Sequence, residues 1–117
     1  MTQIYDFPDH KKGDTFKSVA FTLVNSGTLL PISLEGASIQ CQFRYGSRTG
    51  AKVHDVNSTS GITIIEGLAG KFKINQLTSI YWDVGTYFYD IEITFADGII
   101  RTYVEGSITI NQDATYG

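Results

Sequence analysis

A chain of 117 residues with 42% hydrophobic and 18% charged side chains has the size of one ordinary domain; it is too short to bury two cores and too apolar to stay disordered. Its formal net charge of −3 lacks the excess of Lys and Arg that contact with a phosphate backbone needs, and no run of about 18 apolar residues offers a membrane span, so neither nucleic acid nor membrane is expected as a partner. The opening MTQIYDFPDHKK has no apolar run ahead of a cleavage site, which argues against export by a cleaved signal.

In chain order, strands are expected over Gln3 to Phe7, Thr15 to Val24 and Ser38 to Tyr45, each bounded by Pro, Gly, Asn or Asp. Val19, Phe21 and Leu23 alternate on one face of the second, and Ile39, Cys41, Phe43 and Tyr45 on one face of the third. Between them Pro31 forbids a central ladder position, so the segment around Ile32 and Leu34 reads as an edge or a crossing between sheets. Residues 46–61, GSRTGAKVHDVNSTSG, are polar and read as the longest loop, with Arg48 to Ser60 its most mobile part and a surface that assembly would order. Two short strands follow, Ile62 to Ile65 and Gly70 to Asn75, with Phe72 and Ile74 facing inward. LTSIYWDVG offers the one plausible helical turn, with Trp82 as a core plug beside it.

The strongest signal lies between Gly85 and Ile110. Tyr87, Tyr89, Ile91, Ile93 and Phe95 alternate with Phe88, Asp90, Glu92 and Thr94, the pattern of a half-buried antiparallel strand. Asp97-Gly98 then suggests a two-residue type I′ turn, which would pair Phe95 with Ile100, Ile93 with Thr102 and Ile91 with Val104 on the inward face. On that register Phe88 and Tyr103 project outward with Asp90, Glu92 and Arg101, Arg101 lying diagonal to Glu92. Two large aromatics on an outward face suggest a contact surface, unless the segment around Tyr5 and Phe7 folds over it.

Strands with turn signals about every 8 to 12 residues indicate an all-β fold: an immunoglobulin-like antiparallel β-sandwich of about seven or eight short strands with one short helical turn, forming a single domain over residues 1–117. A small barrel is the alternative architecture.

Groups for chemistry are scarce. His10 and His54 are the only histidines, both in polar sequence, and the single cysteine, Cys41, alternates with Ile39 and Phe43 as a buried small hydrophobe would, so no metal site is expected. Asp90 and Glu92 share a strand face but read as the solvated side of a hairpin rather than as a catalytic pair. No Gly-rich turn leads from a strand into a helix to cradle a phosphate, and no cofactor is expected. These observations point away from an enzyme.

Taken together, several segments resemble the small β-sandwich domains of bacteriophage and prophage structural proteins, of the type at the N-terminus of upper baseplate proteins. The resemblance rests on Gly13-Asp14-Thr15-Phe16, Pro31-Ile32 with Leu34, Gly36-Ala37-Ser38-Ile39, Gly61-Ile62-Thr63-Ile64, Gly70-Lys71-Phe72, Gly85-Thr86-Tyr87 with Tyr89-Asp90-Ile91, Asp97-Gly98, Thr102-Tyr103, and Gly106 with Ile108-Thr109-Ile110. It implies a non-enzymatic virion component in the tail or baseplate, neck or capsid, made in the host bacterial cytoplasm, whose partners are other virion proteins; a homo-oligomer is left open beside them. The contact candidates are then Phe88, Tyr103, Arg101 and Glu92 on the hairpin, with Arg48 and His54 in the polar loop. The competing reading is a carbohydrate-binding module for host attachment, for which Trp82, Tyr81, Phe88 and Tyr103 would supply the aromatic platform.

Overall fold

Alternating apolar residues give most of these strands one inward face, and a computed structural model, which describes residues 3–25, 27–77 and 82–112, shows how those faces meet. Nine strands are present among the described residues: β1 Gln3–Ile4, β2 His10–Lys11, β3 Val19–Thr22, β4 Ser38–Tyr45, β5 Lys52–Asn57, β6 Ile62–Glu66, β7 Lys71–Ile74, β8 Gly85–Thr94 and β9 Ile100–Asn111. They form two sheets, one in the order β1-β9-β8-β4-β5 with β2 also on β9, the other β3-β7-β6. The protein is an all-β sandwich. Among its strands it departs from the expected antiparallel pattern at β1 and β2, which lie parallel to β9.

The inner face of the large sheet carries Ile39, Cys41 and Phe43 from β4, Tyr87, Tyr89, Ile91 and Ile93 from β8, and Val104, Ile108 and Ile110 from β9. All are buried, and with Phe72 and Ile74 of the small sheet they make one core cluster. Phe21 pairs with Phe72 across β3 and β7, their rings stacked at 5.4 Å. Leu34 is buried after Pro31, which bridges only to Val24, so this segment runs from one sheet to the other as its proline requires. The expected helical turn falls mostly on residues 78–81, outside the described ones.

Two expectations are corrected. First, residues 46–61 are not one loop: β5 runs through them, paired with β4 through Cys41↔Val56 and Phe43↔His54. Val56 is buried and His54 partly so, which was hidden because an edge strand with one inward face buries few side chains and keeps its polar ones. Within Arg48 to Ser60, Lys52–Asn57 is therefore a sheet edge, joined to β4 by the connection over residues 46–51.

Second, the β8–β9 connection has three residues rather than two. Phe95 donates its N–H to the Ile99 carbonyl at 2.9 Å, Gly98 N–H returns to the Phe95 carbonyl at 2.8 Å, and the Asp97 carboxylate accepts from Ile99 N–H at 3.0 Å. A type I′ turn asks a positive φ of both central residues, but only Gly98, at φ 90°, takes one. The register accordingly shifts by one: Ile100 pairs with Thr94 and stays 59% exposed, and Arg101 rather than Thr102 faces Ile93. A β-bulge then restores the expected Ile91↔Val104 pair by inserting Tyr103 as the extra residue, so the inward set beyond it survives.

Candidate contact face

The outer face of the large sheet is built by the residues that alternate with the core. Gln42 of β4 stands opposite Asp90 of β8, Arg44 opposite Phe88, and on the other side Phe88 faces Ser107 and Asp90 faces Glu105. Two acids directly opposite one another repel, and a base from outside the strands offsets them. Arg48, in the β4–β5 turn, reaches across β8 so that Nη1 lies 3.3 Å from Glu105 Oε2 while its guanidinium sits 5.7 Å from the centroid of Phe88. Arg44 holds that turn in place, donating from Nη1 to the Gly50 carbonyl at 3.0 Å and from Nη2 to Gln42 Oε1 at 3.2 Å. The hollow among Gln42, Arg44, Arg48, Phe88 and Asp90 encloses about 20 Å³, room for a water and not for a sugar ring.

The expected site residues therefore divide. Phe88 is outward and partly buried, with Arg48 over it, and the segment of Tyr5 and Phe7 does not cover it: Phe7 is in the core, while Tyr5 meets the rings of Phe7 and Phe21. Tyr103 is a correction. The bulge turns it toward Phe95, edge to face at 6.0 Å, where it packs against the core instead of joining Phe88. Arg101 is exposed opposite Ile93, away from the diagonal of Glu92, and the ion pairs among the described residues do not include it. Glu92 remains on the outer face, opposite Gln40. The cluster that forms is Phe88, Arg48, Arg44 and Glu105; Arg44 and Glu105 escaped notice because the meeting of a turn with a strand two places away leaves no local pattern.

His54 belongs elsewhere. Its position opposite Phe43 turns it inward, with ring centroids 6.1 Å from Phe43 and 5.4 Å from Trp82, and its Nε2 is buried without a hydrogen-bond partner among the described residues. Burial lowers its pKa below the ordinary histidine value, with Asp55 opposing in part. A base whose folded-state pKa is depressed binds fewer protons than it does unfolded, so its contribution to stability is complete above the ordinary value of about 6.5 and is lost as pH falls below it. Denaturation midpoints followed from pH 7.5 to 5 should decline, and His54→Phe should flatten the decline; an identical slope in the variant would show that other groups set it.

Trp82 packs between Phe43 at 5.3 Å and Tyr87 at 5.0 Å, so its ring serves the core, in line with the plug expected of it. This removes the main aromatic from a sugar platform, and Tyr81 lies outside the described residues. Cys41 is fully buried, and burial, reinforced by Asp90 and Asp55, pushes its pKa far above the usual thiol range, leaving it protonated and inert. Among the described residues no group of three or more His, Cys, Asp or Glu could hold a metal ion, and no helix is long and apolar enough to cross a membrane. No known family model matches the sequence, and no curated protein sequence matches it either.

Proposed function

We propose that the protein is a non-enzymatic structural component of a bacteriophage or prophage virion, made in the host bacterial cytoplasm, that joins other virion proteins through the outer face of its large sheet. The observation that carries this reading is the Phe88, Arg48 and Glu105 cluster, an aromatic on a central strand capped by an arginine. Aromatic residues and Arg are the types enriched at protein interfaces, and a strand-borne side chain meets a partner with little ordering cost. The surface ion pair adds little stability in the isolated domain, since both side chains are solvent-accessible, so its arrangement is better accounted for by recognition than by folding. Its place in the tail or baseplate, the neck or the capsid follows from which partner this face meets.

The test is the Arg48→Ser, Phe88→Ser double variant. It should keep the wild-type melting temperature within a few degrees while its association with particles falls about thirtyfold, corresponding to the roughly 2 kcal/mol that truncating an interface anchor commonly costs. Tyr103→Ser, acting on the core side, should instead lower the melting temperature. Wild-type incorporation of the double variant into particles would overturn the reading.

A further inference from the structure

Residues 3–12 pair with no neighbour in sequence. They run parallel along β9, where Tyr5 N–H donates to the Glu105 carbonyl at 2.9 Å, Phe7 N–H to Ser107 at 2.9 Å and Lys12 N–H to Asn111 at 2.8 Å. Side chains complete the fit. The Asp6 carboxylate accepts from Ser107 N–H at 3.0 Å and from its hydroxyl at 3.2 Å, the Tyr89 hydroxyl donates to the Tyr5 carbonyl at 2.5 Å, and Phe7 is buried 4.9 Å from the Tyr89 ring. Gly106 leaves the space this requires, because a Cβ there would fall on the Tyr5 carbonyl oxygen. The edge of β9 is thus shaped to receive an extended peptide in one register, by backbone pairing and one aromatic anchor.

The joint between this segment and the rest of the chain is much weaker. The turn at Gly13, φ 94°, is held by Asp14 N–H to the Lys11 carbonyl at 3.1 Å and by His10 Nε2 with the Asp14 carbonyl at 2.9 Å. Beside it lies an open pocket of about 270 Å³ lined by Pro8, Asp9, His10, Phe16, Lys17 and Val19, across which the Phe16 ring meets those of His10 at 6.0 Å and Phe7 at 5.6 Å. Straightened, residues 12–15 would span roughly 14 Å, and the contacts the segment gives up on its own β9 are those it regains on an identical one.

We infer that the groove along β9 is a strand-acceptor site, filled in the assembled state by residues 3–12 of a second copy of this chain. An identical segment reproduces every contact along β9, so the closed and exchanged forms differ in energy only at the hinge. The short tether gives the chain's own segment a millimolar effective concentration, which keeps dilute protein monomeric and lets exchange prevail where copies are packed at or above that concentration. This goes beyond the contact-face reading and stands apart from it: a chain that kept its own strand could still bind partners through Phe88 and Arg48.

The test uses the full chain with Asp6→Cys and Ser107→Cys, positions adjacent on β9 and the N-terminal segment, oxidised at micromolar and at millimolar concentration. Micromolar protein should give an internally linked monomer of 12.9 kDa, and millimolar protein covalent dimers and higher multiples. Cys41 is fully buried and stays out of the reaction. A mixture of the two single variants, distinguished by mass, should give the mixed disulfide in large excess over either homodimer. Linked monomer alone at every concentration, no disulfide at all, or mixed and like disulfides in statistical proportion would each overturn the inference.

Discussion

Ile91→Ala is expected to destabilise the domain by about 2 to 5 kcal/mol, whereas Glu92→Ala, one residue along, should change stability by less than about 0.5 kcal/mol. Ile91 is fully buried between Cys41 and Val104, and its removal leaves a cavity at the centre of the large sheet, where strands on both sides prevent collapse. Glu92 lies on the outer face opposite Gln40 and Thr102, where water replaces what is lost. Urea denaturation with unchanged slopes would measure the contrast, and comparable losses at the two positions would mean that β8 does not sit in this register.

Gly106→Ala should act as strongly by another route. Its added methyl meets the Tyr5 carbonyl, part of a backbone held on both sides, so the N-terminal segment must leave β9. Phe7 then loses its burial and the Tyr89 hydroxyl its acceptor, a loss of about 3 kcal/mol or more. Gly98→Ala is the control, since open space surrounds the added methyl and only the positive φ opposes it, for about 1 kcal/mol. Amide exchange at Tyr5, Phe7 and Lys12 should accelerate in Gly106→Ala and remain slow in Gly98→Ala. Wild-type protection of Phe7 in the first variant would rule out the steric account.

Much of what depended on alternation within one strand was legible in the sequence, although Tyr45, expected inward with Ile39, Cys41 and Phe43, ends β4 45% exposed. β4 occupies Ser38–Tyr45 as expected, Phe72 and Ile74 face inward, and Tyr87 through Ile93 fill the core, because a strand with one apolar face can bury it in only one phase. Phe88 was legible as outward for the same reason. The all-β sandwich followed from the number and spacing of such strands.

What involved the meeting of distant segments was decided by the tertiary structure. Asp97-Gly98 marked a turn, but one residue more in the loop and one bulge at Tyr103 moved Arg101 and Tyr103 to other neighbours, and these choices differ too little in local energy to show in composition. β5 gains its inward face only from the neighbouring Phe43 and Trp82, which give His54 its place. Arg48 over Phe88, and the parallel docking of residues 3–12 on a strand 101 positions away, depend on which backbone edges and side chains the completed core leaves unpaired. Period and turn residues encode the direction each side chain takes along its own strand, while the partner across a gap is chosen by burial and hydrogen bonding that exist only once both sheets have closed.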